Sequence, residues 1–398
     1  MEATTPPSGD TLRSGLLSTK MRPPRPRADR LQRPLLVARL RAGLDRPLTL
    51  LSAPAGSGKT TLLGEWLQSC DRPVGWLALD AGDNDPLRFL AYLGAALGAC
   101  DPALGRHIQD QLRAPPAWDV LVAELVNAVA AVQPFVLVLD DYHVITAAPV
   151  HALLTGLLEQ APAPLHLVIG TRADPPFPLA RLRVRGALTE LRAPDLRFTP
   201  QEIAALLGGV YRVPVMPAQI ARLADRTEGW AAGLQMAALA LHGREDVERF
   251  VDRFSGGHQY VLDYLVEEVL VHQPAEIQHF LLGTAILERL CAELCDAVLG
   301  KAEGERVREE SGADGGQIAH ADIPRPSSFI LDQLERSNLF LIPLDDERRW
   351  YRYHHLFGDL LRQRLGQSLA AGKIAELHIR ASEWYEQNNL TLDRKSVV

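Results

Sequence analysis

Short, mainly apolar runs alternate, along the first half of the chain, with segments in which apolar residues recur every three or four positions. The runs begin at Leu48, Val74, Phe135 and Leu165, and the one at Phe135 has five apolar residues in succession. Apolar runs of this length are typical of parallel strands covered on both faces, and the three-to-four spacing is typical of amphipathic helices. Strands that alternate with helices predict an α/β fold with a doubly wound parallel sheet, which we place over residues 31–195.

The second half of the chain has a helical pattern and one hairpin. We predict a helix that begins at Phe329 and earlier helices over residues 196–207, 217–225, 231–241, 261–271 and 276–282. Two short apolar runs, beginning at Leu339 and Trp350, flank a charged turn and predict a β-hairpin. Helices followed by a hairpin form a winged-helix unit, which we predict over residues 256–366.

Two segments carry no apolar periodicity. Residues 1–30 are rich in Pro, Arg, Ser and Thr and are predicted to form a flexible N-terminal lead. The basic run from Lys20 to Arg27 suits a solvated extended segment, with a DNA-contacting arm as the alternative. Residues 301–326 are polar and Gly-rich and are predicted to form a surface insertion.

The strand predicted at Leu48 runs into a glycine-rich loop and then into a helix, with the sequence SAPAGSGKTT. This succession is the context of a phosphate-binding loop, in which backbone N–H groups converge on phosphate oxygens. Lys59 supplies a positive charge, and the Thr60 hydroxyl can join the coordination shell of Mg²⁺. The predicted nucleotide-binding residues are Ala53, Gly56, Ser57, Gly58, Lys59, Thr60 and Thr61. Arg33 is predicted to join them from the helical segment before the strand, the alternative being a plain packing helix.

Charged residues follow two later strands at their carboxyl ends. Asp140 and Asp141 end the third apolar run, and Arg172 follows the fourth. Ligands of open α/β sheets gather at this edge. We predict that Asp140 holds Mg²⁺ together with Thr60. Asp141 is predicted to orient the attacking water and Arg172 to sense the γ-phosphate, the alternatives being a helix-capping pair of acids and a structural arginine.

Composition narrows the classes of function. The chain of 398 residues is 47% hydrophobic and 23% charged, which is typical of a globular protein of two to four domains. The net charge of −7 argues against a protein that coats nucleic acid. Because a membrane-spanning apolar run and a signal peptide are both missing from the sequence, we expect a cytoplasmic protein. The four cysteines show no CxxC pairing and predict neither a disulfide framework nor a zinc site.

The motifs, taken in chain order, resemble those of a known class of signalling ATPase. After the loop come LVLDDYH, which ends at His143, then GTRADPP from Gly170 and LRFTPQE from Leu196. The combination is similar to the ATPase part of the MalT-type, LuxR-associated large regulators, within the NB-ARC-like (STAND) signalling ATPases. The resemblance extends over residues 20–392. It implies an ATP- and Mg²⁺-binding switch with an ADP-locked resting state, slow ATP hydrolysis and ATP-promoted self-association.

The resemblance also implies roles for the second half of the chain. Residues 196–255 would form a helical lid whose signature places Trp230 at the nucleotide or, alternatively, in the core. His354 occupies the histidine position of a Met-His-Asp-Leu motif, and the resemblance implies that this histidine contacts the β-phosphate of ADP. His355 replaces the Asp of the motif. Residues 367–398 would begin a truncated helical-repeat (TPR-like) region. An unknown inducer would then bind the missing repeats, and a helix-turn-helix that is also missing would bind DNA.

Two other functions stay open at this point, a stand-alone P-loop NTP-utilising enzyme such as a kinase and a DNA-binding winged-helix protein. A kinase needs an acceptor pocket, and no acceptor motif is readable in the sequence. A DNA-reading wing needs a basic face, but the hairpin turn carries Asp345, Asp346 and Glu347 beside Arg348 and Arg349. The mixed charge favours an internal clamp. The short chain itself is interpreted as an isolated switch, a decoy for longer relatives or a fragment.

Overall fold

The computed structural model describes residues 16–24, 31–113, 117–241, 246–300 and 325–390. The chain divides into two compact units, Met1–Leu196 and Arg197–Val398. Over the ranges that are described, no helix combines the length and the apolar character needed to cross a membrane.

A five-stranded parallel sheet forms the centre of the first unit. Its strands are β1 (Leu48–Ser52), β2 (Val74–Ala78), β3 (Phe135–Asp140), β4 (Leu165–Thr171) and β5 (Leu188–Arg192). They lie in the order β2-β3-β4-β1-β5, and every neighbouring pair is parallel. The predicted α/β sheet is therefore confirmed. The sequence did not predict β5, because polar residues such as Thr189 and Glu190 interrupt its apolar pattern at the sheet edge.

Helices cover both faces of this sheet. Leu137 and Leu139 of β3 belong to one apolar cluster, and the alternating Val136 and Val138 belong to a second cluster. Burial on both faces explains why β3 is apolar at five successive positions before Asp140. The helices are α1 (Pro34–Ala42), α2 (Lys59–Leu67), α3 (Pro86–Cys100), α4 (Pro102–Arg113), α5 (Trp118–Ala130), α6 (Ala148–Gln160), α7 (Leu179–Val184) and α8 (Ala193–Leu196).

The segment before α1 differs from the flexible lead predicted for residues 1–30. Ser18–Met21 forms a 3-10 helix, and the Lys20 side chain is buried. Its Nζ lies 2.9 Å from Asp80 Oδ2 and 2.5 Å from Asp83 Oδ2, and 4.4 Å from the centre of the Tyr92 ring. The sequence pattern missed this anchor because its partners lie about sixty residues away. The remaining residues of the predicted lead, 1–15 and 25–30, lie outside the described ranges.

The second unit consists of helices and one small hairpin. Strands β6 (Leu341–Pro343) and β7 (Tyr351–Tyr353) pair antiparallel, as the pattern predicts. Most of the predicted insertion lies outside the described residues, which resume at Arg325. The helices are α9 (Pro200–Ala204), α10 (Pro217–Thr227), α11 (Ala231–Leu241), α12 (Val247–Arg253), α13 (Gln259–Leu265), α14 (Ala275–Gly283), α15 (Ala292–Leu299), α16 (Ser327–Arg336), α17 (His355–Ser368) and α18 (Ala371–Gln387), with π-helical turns at Ala205–Val210 and Val266–Leu270.

The Lys20 anchor predicts a measurable loss of stability. In Lys20→Ala the carboxylate of Asp83, which is fully buried, loses its nearest cation and keeps the 3.4 Å contact with Arg88 and the 2.8 Å hydrogen bond from the Asp80 backbone N–H. Because removing one partner of a buried ion pair costs about 3–5 kcal/mol, we expect a loss of about 3 kcal/mol of unfolding free energy in urea titrations.

The matched control is Arg113→Ala, which removes the exposed pair between Arg113 and Asp110. That variant should stay within about 0.5 kcal/mol of the wild type, because exposed pairs contribute little. Equal losses in the two variants would mean that the Lys20 contacts do not stabilise the first unit.

Candidate functional site

The loop between β1 and α2 has the backbone conformation of a phosphate-binding loop. Gly56 and Gly58 have φ angles of 68° and 85°, a left-handed conformation that glycine adopts without steric cost. Lys59 Nζ donates hydrogen bonds to the carbonyl oxygens of Ala53 at 2.7 Å and Pro54 at 2.9 Å, so the loop curls around the ammonium group. Among the described residues, no side chain caps the N-terminus of α2, and its first N–H groups therefore suit an anion.

Two hard oxygen ligands meet beside this loop. Thr60 Oγ1 donates a 2.6 Å hydrogen bond to Asp140 Oδ2, and the Asp141 backbone N–H donates to Asp140 Oδ1 at 3.1 Å. Burial raises the pKa of Asp140, and the charge of Asp141 raises it further against the hydrogen bond from Thr60. A bound cation would stabilise the carboxylate that burial disfavours. A hydroxyl and a carboxylate are ligands that Mg²⁺ accepts, so this pair fits the predicted metal role.

Gly170 is essential to this geometry and was not predicted as a site residue. It lies in β4, next to β3, and a Cβ atom at this position would overlap Asp140 Oδ1. Glycine within a strand marks the close approach of another group. The glycine of the GTR sequence indicated such a close approach. Without the strand order, however, the sequence could not identify Asp140 as the group that approaches.

Lys59 and Arg172 bring two positive charges to the same edge. Burial lowers the pKa of Lys59 to about 8, and the charge of Arg172 lowers it further, while Asp140 and Asp141 oppose the shift. Asp141 has a left-handed φ of 57°, and its carboxylate is 46% exposed. Two cations held close together are better stabilised by a polyanion such as a triphosphate than by a single carboxylate.

The other residues of the first unit that the sequence predicts at the nucleotide make contacts within the protein. The Arg33 backbone N–H donates to Glu65 Oε1 at 2.9 Å, and its Nη1 donates to the Leu196 carbonyl at 2.7 Å. Arg33 therefore ties the start of α1 to α2 and α8. Ser57 Oγ donates to the Pro54 carbonyl at 2.9 Å and closes the loop, while the Thr61 side chain is exposed.

A second network of contacts, which the sequence did not predict, involves the loop after β4. Ser52 Oγ, at the end of β1, donates a 2.8 Å hydrogen bond to Asp174 Oδ1. The guanidinium group of Arg192, at the end of β5, binds both oxygens of Asp174, with 3.0 Å between Nη2 and Oδ2. The loop after β4 is thus fastened to the ends of β1 and β5. Asp174 was visible in the GTRADPP motif, but its partners depend on the strand order.

Trp230 and His354 lie together in the second unit. The Trp230 ring contacts Phe340 and His354 with centroid distances of 5.2 Å and 6.0 Å. His354 Nε2 lies 2.9 Å from the carbonyl oxygen of Thr227, to which it donates, and burial lowers the pKa of His354 to about 4. His354 is therefore a neutral imidazole within an aromatic cluster.

Glu228 is a further residue that sequence reasoning missed. Its carboxylate accepts hydrogen bonds from Arg352 at 2.6 Å and 3.0 Å and from the His355 backbone N–H at 3.1 Å. Burial opposes ionisation, but the hydrogen bond from Arg352 and the nearby His354 hold the pKa of Glu228 at about 2. The C-terminal end of α10 is thereby fastened to β7 and to the start of α17.

Comparisons with known families assign the phosphate-binding loop and the surroundings of His354 to two known domain families. Residues 29–169 match the AAA ATPase domain, and residues 266–372 match the MalT winged helix domain. The chain combines an AAA ATPase domain with a MalT winged helix domain. The phosphate-binding loop and Asp140 lie in the ATPase domain, and His354 lies in the winged helix domain.

The relatives of this ATPase and winged-helix pair are larger proteins. The chain is 35% identical over 361 residues to the HTH-type transcriptional regulator MalT of Cronobacter sakazakii. The aligned region covers 88% of this chain and 37% of that protein. It is 31% identical over 377 residues to the serine/threonine-protein kinase PknK of Mycobacterium tuberculosis. That alignment covers 93% of this chain and 32% of the kinase. The chain thus spans about a third of the length of each of these relatives.

One solved structure supports the fold. The Walker-type ATPase PABY2304 of Pyrococcus abyssi aligns with a TM-score of 0.54 and 15% identity, over 86% of this chain and 98% of that one.

Gly170→Ala should disrupt the contact between Thr60 and Asp140, the predicted ligands of Mg²⁺. The added methyl group would displace the Asp140 carboxylate from Thr60, so we expect the Kd of Mg²⁺–ATP to rise by about tenfold or more, equivalent to about 1.4 kcal/mol. Calorimetric titration measures this change. The control is Gly366→Ala in α17, where a Cβ meets no neighbour within 4 Å. Wild-type affinity in Gly170→Ala would contradict the role given to Asp140.

Lys59 should make ATP affinity depend on pH. The ammonium form binds phosphate, and a pKa of about 8 in the free ATPase domain means that this form is lost above that pH. Below about pH 7 the Kd should be constant, and above about pH 8 it should rise with a slope approaching tenfold per unit. Fluorescence titrations with an ATP analogue measure the profile. An identical inflection in Lys59→Met would assign the effect to another group.

Proposed function

We propose that this chain is the ATP-binding core of a MalT-type signal-transduction switch that contributes to transcriptional regulation. The observation that carries the proposal is the 2.6 Å contact between Thr60 and Asp140 beside the Lys59 loop, with Asp141 and Arg172 at the same sheet edge. These are the groups needed to bind and slowly hydrolyse ATP.

The comparisons support a switch core rather than an output domain. One relative is named as a transcriptional regulator and another as a protein kinase, yet each resembles this chain over about a third of its own length. A segment common to proteins with such different names is better explained by a shared control function than by either output.

In this proposal each polar group at the sheet edge has one task. Lys59 and the N–H groups of the loop bind the phosphates, and Arg172 contacts the γ-phosphate. Thr60 and Asp140 hold Mg²⁺, which supplies positive charge to the phosphate oxygens when bound. Asp141 accepts a hydrogen bond from the attacking water and directs its oxygen at the γ-phosphorus.

We further propose that ADP maintains the resting state and that ATP permits self-association. The second unit would respond to the nucleotide through His354, as the resemblance implies. Glu228 and Arg352 support this assignment, because their ion pair holds the backbone on either side of the His354–Thr227 hydrogen bond. A cluster fixed in this way can change between discrete states rather than deform gradually.

The charges on the hairpin do not favour direct reading of DNA. The Arg349 guanidinium pairs with Glu347 at 2.9 Å, and that of Arg348 pairs with Glu335 at 3.2 Å. Arginines that are neutralised by their own neighbours contribute little to phosphate binding. The internal clamp therefore accounts better for this wing.

The freshly purified protein should contain ADP and should be monomeric, and exchange into ATP with Mg²⁺ should increase its mass. Chromatography of the nucleotide released by heat and light scattering measure the two properties. Lys59→Ala should contain no nucleotide, because it loses the cation at the loop, whereas the exposed Lys373→Ala should resemble the wild type.

His354→Ala should release ADP faster while still binding ATP, because the proposed contact is with the resting state. A protein that is empty as purified and hydrolyses ATP rapidly at constant mass would overturn the switch and favour a metabolic NTP-utilising enzyme.

A further inference from the structure

His143 lies beside the candidate ATPase site and has no role in the function proposed so far. It is the middle residue of the 3-10 turn Tyr142–Val144, which follows β3 directly. Its Nδ1 atom is buried and, within the described parts of the chain, has no hydrogen-bond partner. Because a buried nitrogen without a partner is destabilising, such an atom points to a partner that binds with the ligand.

The turn that carries His143 is fixed in place by its neighbours. Tyr142 is buried, and its hydroxyl lies 2.7 Å from His151 Nδ1. The Tyr142 ring also packs against Phe177 at a centroid distance of 5.4 Å. One side of the turn is therefore anchored in the core, which sets the position of the imidazole of His143.

The charges of two cations at this edge act on His143. Burial lowers the pKa of His143 to about 4, and the charges of Arg172 and Lys59 lower it further. These are the two cations assigned to the triphosphate. His143 is therefore neutral at physiological pH and carries one ring proton, so one of its nitrogens is a hydrogen-bond acceptor.

The distance from His143 to Asp141 fits one bridging water. Asp141 Oδ1 lies 3.9 Å from His143 Nδ1, which is too long for a direct hydrogen bond. Two acceptor atoms at this separation can share one water at ordinary hydrogen-bond distance from each. If Nε2 carries the ring proton, both Nδ1 and Oδ1 accept, so the water donates both hydrogens to the protein.

We propose that His143 Nδ1 and the Asp141 carboxylate together hold the water that attacks the γ-phosphorus of ATP. This inference rests on the proposed ATPase function. The water oxygen forms a bond to phosphorus, and the bond between phosphorus and the β–γ bridging oxygen breaks with its electron pair remaining on ADP. One water proton passes to Asp141 and then to the released phosphate. His143 accepts the other hydrogen in a hydrogen bond and fixes the direction of attack.

Three variants test which nitrogen acts. His143→Ala removes both, His143→Asn places an amide oxygen near the position of Nδ1, and His143→Gln places one near Nε2. We expect kcat for ATP hydrolysis to fall by about 10- to 100-fold in the Ala and Gln variants, because one water contact is lost, and to recover within about threefold in Asn. The Kd of ADP should not change. The exposed His279→Ala serves as the matched control.

A binding measurement separates water positioning from a structural role. ADP with aluminium fluoride mimics the transition state including the attacking water, whereas ADP with beryllium fluoride mimics the ground state. His143→Ala should weaken the aluminium fluoride complex by the same factor as kcat and leave the beryllium fluoride complex unchanged. Equal weakening of both complexes, rescue by Gln instead of Asn, or an unchanged kcat would overturn the role of His143.

The wild type and Asp141→Asn distinguish this inference from the function on which it rests. If the wild type binds no ATP, the proposed switch itself fails. If the wild type hydrolyses ATP and Asp141→Asn does not, while His143→Ala retains full kcat, only the role of His143 is rejected.

Discussion

The parallel direction of the strands is the constraint on which the candidate site depends. Because β1, β3 and β4 run the same way, their carboxyl ends meet at one edge and bring Lys59, Asp140 and Arg172 together from positions far apart in the chain. Thr60 reaches Asp140 only because Gly170 on the intervening strand has no side chain. The contact between Thr60 and Asp140 is thus a consequence of sheet order and of one missing Cβ atom.

Desolvation gives this edge its chemical character. Burial lowers the pKa of Lys59 and of His143 and raises that of Asp140, so the charged form of each group is less favourable here than in water. A ligand that supplies phosphate charge and a divalent cation would offset this penalty for Lys59 and for Asp140. The electrostatics of the site therefore favour binding of such a ligand. The surrounding apolar clusters supply the folding stability that offsets the cost of burying these charged groups.

The second unit uses a different combination of interactions. His354 is neutral and lies within an aromatic cluster, while the adjoining Glu228 stays ionised because Arg352 binds both of its oxygens. Removing Arg352 would leave a buried carboxylate without its main partner. Packing and charge are thus coupled within a few residues, which suits an element that changes between two arrangements.

The sequence alone determined the first four strands of the sheet, many of the helices and the residue types of the phosphate-binding loop. The apolar runs report burial on both faces and the loop chemistry is local, so the sequence placed Lys59 and Thr60 at the loop and Asp140 and Arg172 at the ends of strands. The edge strand β5 was not predicted, because polar residues weaken its apolar pattern. Only the tertiary structure decided the partners of Lys20, Asp174 and Glu228 and the position of His143 beside Asp141. Those contacts join residues whose proximity depends on strand order, turn conformation and helix packing, and none of these is encoded in local periodicity.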